Sequence, residues 1–123
     1  MHKKPILVLV IEDNRDSADT LQMLLNLLGY TVEVAYDGVT GLQAVASFMP
    51  DVIICDIGLP GLDGYDVATA IRANDATRTV PMIALTAYGE EVQDKIIQSG
   101  FSLHLVKPTD LGVLRSALSV LTE

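Results

Sequence analysis

The amino-acid sequence predicts a doubly wound α/β domain, and three observations carry that expectation. Five short apolar runs recur along the chain, helix-period segments separate them, and most of the runs show no polar alternation. Continuous Val, Ile and Leu is the pattern of strands covered on both faces, and parallel strands need a crossover helix between them. With 123 residues, half of them apolar, the chain is expected to form one domain over 1–123 with a core of its own.

The first strand reads as Ile6–Ile11, and Ala18, Leu21, Leu25 and Leu28 share one face of a first helix that Gly29 can stop in a left-handed conformation. Thr31–Tyr36 is a second strand, interrupted by Glu33. Val39, Leu42, Val45 and Ala46 suggest a second helix that ends before Pro50. Val52–Cys55 is the third strand, succeeded by a helix from Tyr65 to Ala73 with Val67, Ala68 and Ile71 inward. Met82–Leu85 is the fourth strand, and Glu90–Ser99 a helix with Val92, Ile96 and Ile97 inward and Gly100 as its stop. Ser102–Val106, carrying His104, is a weaker fifth strand; a last helix starts near Thr109-Asp110 and buries Leu114, Ala117, Leu118 and Leu121.

Composition removes several function classes. The formal net charge is −8 without a long basic run, which argues against direct nucleic-acid binding, since that affinity comes largely from neutralised phosphates. The longest apolar run, Pro5 to Ile11, is strand-sized, so no membrane insertion is expected. The basic start Met1-His2-Lys3-Lys4 lacks the long apolar region and cleavage site of a signal peptide. A single cysteine, Cys55, suits a reducing cytoplasm and reads as an inert core thiol.

The residues at the strand ends carry the chemistry. The first run ends in Glu12-Asp13, the third in Asp56, the fourth in Thr86-Ala87 and the fifth in Lys107-Pro108. In a parallel sheet all of these meet at the carboxyl rim, where such folds bind ligands. Taken one at a time, Glu12 and Asp13 could serve the first helix terminus with Asn14 as cap, and Asp56, Thr86 and Lys107 could be ordinary loop residues. Together, crowded carboxylates call for a cation, and an all-oxygen set suits Mg²⁺, with Mn²⁺ as an alternative; zinc is disfavoured because His2 and Cys55 fall in no ligand-spaced pair. A carboxylate beside a hard cation and a lysine is placed to attack a phosphoryl group. Asp56 would be the nucleophile, Lys107 would hold phosphoryl oxygens, Thr86 would donate its hydroxyl, and N–H groups near Gly58 and Ala87 would add more.

These residues, with the segment Asp56-Ile57-Gly58-Leu59-Pro60-Gly61-Leu62-Asp63-Gly64, resemble the receiver domains of two-component response regulators over essentially the whole chain. The resemblance implies a flavodoxin-like, CheY-like (βα)5 fold of strand order 2-1-3-4-5. It implies Mg²⁺ held by Glu12, Asp13, Asp56 and the Gly58 carbonyl, a phosphorylated Asp56, and a cis bond before Pro108. It further implies a phosphohistidine donor on a sensor histidine kinase or histidine phosphotransfer domain, docking near the first helix. The output protein or domain would engage the surface of the fourth helix, fifth strand and fifth helix. Such a domain is a phosphorelay switch that assists its own phosphorylation and dephosphorylation, and is not a turnover enzyme. The stretch from Gly100-Phe101 to Lys107-Pro108 has the flavour of receivers attached to hybrid sensor kinases.

Where many receivers carry Tyr or Phe, three residues before the lysine, this chain has His104; it reads first as a partly exposed strand residue, second as a switch partner of Thr86. Gly58 offers no side chain to hold an attacking water and Tyr88 can shield an acyl phosphate, so slow self-dephosphorylation is expected. Two rival readings differ in class. A haloacid dehalogenase-type aspartyl-phosphate phosphatase would carry a second Asp at the position of Gly58. A pseudo-receiver, a pure interaction module, would lack the acceptor, an acidic-pair member or the lysine.

Overall fold

A computed structural model describes residues 5–87 and 93–122. Five parallel strands, β1 (Leu7–Ile11), β2 (Thr31–Ala35), β3 (Val52–Asp56), β4 (Met82–Thr86) and β5 (Leu103–Val106), form one sheet in the order β2-β1-β3-β4-β5. Between and after them run α1 (Arg15–Leu27), α2 (Gly38–Phe48), α3 (Gly64–Ala73), α4 (Gln93–Ser99) and α5 (Leu111–Thr122). The predicted fold class and strand order are those observed.

That order explains why two of the apolar runs are weaker in the sequence. β2 and β5 are the edges, partly open to solvent, whereas β3 and β4 are buried at every position. A central strand needs apolar residues on both faces, and an edge strand tolerates Glu33 or His104.

Two cores sandwich the sheet. On one face Val8, Val10, Ile54 and Leu85 pack with Leu21 and Leu25 of α1 and with Leu114 and Leu118 of α5. On the other, Leu9, Ile53, Cys55 and Ala84 pack with Val45 of α2, Val67 and Ile71 of α3, and Ile96 of α4. Helices on both faces result from right-handed crossovers that reverse direction once across the sheet.

Local signals set the helix ends. Asn14, Asp37 and Asp63 cap α1, α2 and α3 by accepting the N–H groups of Ser17, Thr40 and Asp66, and Asp110 accepts that of Val113 at the start of α5. Gly29 stands after α1 at φ +94°, the left-handed turn that ends a helix and that a Cβ would disfavour.

Two helix faces differ from expectation. Val39 and Ala46 of α2 are exposed, and the buried face is Gly38, Gly41 and Val45. On α4, Ile96 is buried while Ile97 is 60% exposed, because neighbours in sequence lie about 100° apart on a helix and only one can face the sheet. The expected inward Val92, and the start of that helix at Glu90, lie outside the described residues.

Candidate functional site

Parallel strands bring Glu12, Asp13, Asp56, Thr86 and Lys107 to the carboxyl rim of the sheet, while His104 lies lower, within β5. Ile11 pairs with Cys55, so Glu12 and Asp56 emerge side by side from β1 and β3. Asp56 pairs with Leu85 and Thr86 with Val106, which sets Thr86 and Lys107 next in line. Glu12, Asp56 and Thr86 are buried, while Asp13 is exposed.

Side chains from both halves of the chain then meet. Lys107 Nζ donates to Glu12 Oε1 and to Asp56 Oδ2, each over 2.6 Å. The other Asp56 oxygen, Oδ1, accepts the Gly58 N–H at 2.8 Å. This N–H, expected among the donors to a phosphoryl group, is thus engaged with the carboxylate itself. Glu12 Oε2 accepts the Asn14 N–H at 3.4 Å, a contact that no residue type in the sequence announces. The Lys107-Pro108 bond is cis.

Crowding and burial set the electrostatics. Burial pushes the Glu12 carboxyl up, and a hydrogen bond shared with Asp56 pushes it further, to about 7, with Lys107 opposing. Burial would also raise Asp56, but its hydrogen bonds with Glu12, Lys107 and the Gly58 N–H outweigh that and hold it below the ordinary carboxylate range. Lys107 is raised, since its two carboxylate partners outweigh its desolvation. Cys55, buried behind the acids, is pushed far up by desolvation and is no nucleophile.

One oxygen from each of Glu12, Asp13 and Asp56 lies within 4.8 Å of the others. Three carboxylates with a single ammonium between two of them carry surplus negative charge. An all-oxygen donor set of that charge fits a hard divalent cation such as Mg²⁺. Beside it, a cleft of about 480 Å³ opens between α1 and Pro108-Thr109, with Leu21, Leu24 and Leu85 in its walls and Glu12 and Lys107 at its end.

His104 pairs with Ala84 on β5, and Thr86 with Val106, so His104 and Thr86 occupy one face of the sheet on adjacent strands. His104 is half-buried there. Tyr88 and His2 lie outside the described residues. Among the described residues, no helix is long and apolar enough to cross a membrane.

The family model of the response regulator receiver domain matches residues 8–119. The DNA-binding dual master transcriptional regulator RpaA of Synechocystis sp. is 36% identical over 106 residues, which are 85% of this chain and 44% of that protein. The chain therefore spans less than half of that relative's length. Among solved structures, the receiver domain of the sensor histidine kinase PA1611 from Pseudomonas aeruginosa PAO1 has a TM-score of 0.89 and 32% identity, covering 97% of this chain and 98% of that one. That structure holds a magnesium ion coordinated in its active-site cleft. The chemotaxis protein CheY4 of Vibrio cholerae superposes with a TM-score of 0.90 at 27% identity, covering 96% and 99% of the two chains.

Proposed function

The chain belongs to the response regulator receiver family of two-component signalling, and from that premise we propose that Asp56 is its phosphoacceptor. The observation that carries the proposal is the double contact of Lys107 Nζ, 2.6 Å from both Asp56 and Glu12, beside a cluster of carboxylates.

Glu12, Asp13, Asp56 and the Gly58 carbonyl would hold Mg²⁺, which when bound neutralises charge on the transferring phosphoryl oxygens. Asp56 attacks the phosphorus of a phosphohistidine on a kinase or phosphotransfer domain. A P–O bond to its carboxylate forms, the N–P bond breaks, and the imidazole leaves with the electron pair. Asp56 is suited to the attack because its low proton affinity keeps it ionised at neutral pH. Lys107 exchanges part of its carboxylate pairing for a phosphoryl oxygen, and the Thr86 hydroxyl donates to another. The donor's surface docks along α1, where the cleft walled by Leu21 and Leu24 leads to Glu12 and Lys107.

Movement of Thr86 produces the output. His104, on the same face of the neighbouring strand, senses that movement, and the surface of α4, β5 and α5 shifts its population of conformers. That surface presents Ile97, Val106, Val113 and Val120 to solvent, apolar groups that an output protein or domain can cover. The domain is a cytoplasmic switch that assists its own phosphorylation and dephosphorylation. Gly58, in place of a second Asp, disfavours a turnover phosphatase, and the presence of acceptor, acidic pair and lysine together disfavours a pseudo-receiver.

Incubation with acetyl phosphate and Mg²⁺, and then intact mass, tests the proposal. The protein should gain one phosphoryl group, and neither the Asp56→Asn variant nor the wild type in EDTA should gain it. Phosphorylation of Asp56→Asn at the wild-type rate would refute the assignment.

A further inference from the structure

A second cation stands at the same rim. Arg15 opens α1 two positions after Asp13, and its guanidinium lies 4.1 Å from the centroid of the Tyr36 ring. The Glu12 N–H donates to the Ala35 carbonyl at 3.0 Å, so Tyr36, the next residue, stands beside the acidic pair on the β2 side. Lys107 approaches the pair from the β5 side.

Arg15 has an acid one turn along, at Asp19, yet forms no ion pair with any described residue. Its charge rests on an aromatic face, which leaves its N–H fork available to an incoming group. Lys107 is committed to Glu12 and Asp56, and Arg72 to the carbonyls of Gly100, Arg78 and Val80. A phosphodonor approaching this pocket meets clustered carboxylates on a chain of net charge −8, and is repelled.

We propose that Arg15, held in place by Tyr36, is the donor-binding cation of the rim and receives the anionic oxygens of small acyl phosphates on their way to Asp56. It takes no covalent part: the acyl C–O–P linkage breaks at phosphorus, the carboxylate leaves as an anion, and Asp56 gains the phosphoryl group. Tyr36 acts through Arg15 and is a positioning residue. The inference rests on Asp56 being the acceptor.

The test compares initial phosphorylation rates, read by intact mass at saturating Mg²⁺, for acetyl phosphate and for the less highly charged phosphoramidate. At low salt and subsaturating acetyl phosphate, Arg15→Gln should be slower by about three- to tenfold, the effect of one exposed charge at contact range. The deficit should be smaller with phosphoramidate, should vanish at saturating donor, and should shrink as salt screens it. Tyr36→Phe should match wild type, and Tyr36→Leu should fall towards Arg15→Gln. Equal rates for wild type and Arg15→Gln with acetyl phosphate overturn the inference while leaving Asp56 as acceptor. A loss that is the same for both donors and insensitive to salt marks a structural role and overturns it too. A wild type that takes no phosphoryl group from either donor overturns the acceptor assignment along with it.

Discussion

Lys107 Nζ lies 2.6 Å from Asp56 Oδ2, a contact between residues 51 positions apart that joins the ends of β3 and β5 across β4. The same ammonium holds Glu12, which is 1% exposed, so removing it leaves two carboxylates facing each other in a buried place. Lys107→Ala should therefore lower stability by about 1–3 kcal/mol without a divalent cation. Mg²⁺ should restore much of the loss, because it supplies the missing positive charge. Urea melts of both proteins with and without Mg²⁺ check this; a deficit indifferent to Mg²⁺ would contradict the account.

Glu12 supplies a pH dependence of definite sign. Its proton affinity is raised by burial and by its hydrogen bond with Asp56, from 4.5 to about 7. The folded state thus holds this proton more tightly than the unfolded state. The corresponding stability is full below about pH 4.5 and is lost as pH rises through about 7. Asp56, held below its ordinary value of 3.8, contributes in the opposite sense, with stability present above that value and lost on acidification. A Mg²⁺ held by Glu12, as proposed, would have to displace this proton, so its affinity should rise about tenfold per pH unit below neutrality and level off above it. Calorimetric titrations across this range, in buffers of different ionisation enthalpy, should show proton release that fades at higher pH. A flat affinity without proton release would rule this out.

The strand ends are legible in the sequence because a parallel sheet turns sequence order into position: the residues that end each apolar run land on the carboxyl rim. The face of α2 is not, for a physical reason. It packs through Gly38 and Gly41, where an added Cβ would lie 2.4 Å from the Leu62 carbonyl oxygen and 2.7 Å from Ile11 Cδ1. A search for apolar side chains at helical spacing passes over glycines, and so turns Val39 and Ala46 inward instead. On α4 the adjacent Ile96 and Ile97 satisfy the same template equally well, and only packing chooses between them. The stack of Arg15 on Tyr36 and the bond from the Gly58 N–H to Asp56 depend on side-chain geometry that spacing does not encode.

Gly64 ties the loop after Asp56 to α3. A Cβ at this position would sit 2.5 Å from both the Asp56 carbonyl oxygen and the Ile57 Cα, backbone atoms that cannot turn aside. Gly64→Ala should therefore cost about 1–3 kcal/mol and displace Asp56, which would slow the proposed phosphorylation as well. Thermal melts and the acetyl phosphate assay read the two effects. Wild-type behaviour in both would show that the loop can yield where the geometry says it cannot.

With Asp56 as the proposed phosphoacceptor, Gly58 bears on how long its acyl phosphate would last. A Cβ there would meet Asp56 Oδ1 at 3.4 Å and no closer atom, so a side chain fits and would stand directly against the Asp56 carboxylate. As glycine, the position offers an attacking water no hydrogen-bond partner beyond the main chain, and the Gly58 N–H is already given to Asp56. The phosphorylated wild type should accordingly lose its phosphoryl group slowly. Gly58→Asn places an amide that can orient a water for in-line attack, and hydrolysis should accelerate by on the order of tenfold. The decay of the phosphorylated mass after donor removal gives both rates under identical Mg²⁺. If the variant decays no faster than wild type, the missing side chain is not what protects the acyl phosphate, and shielding must come from elsewhere on the rim.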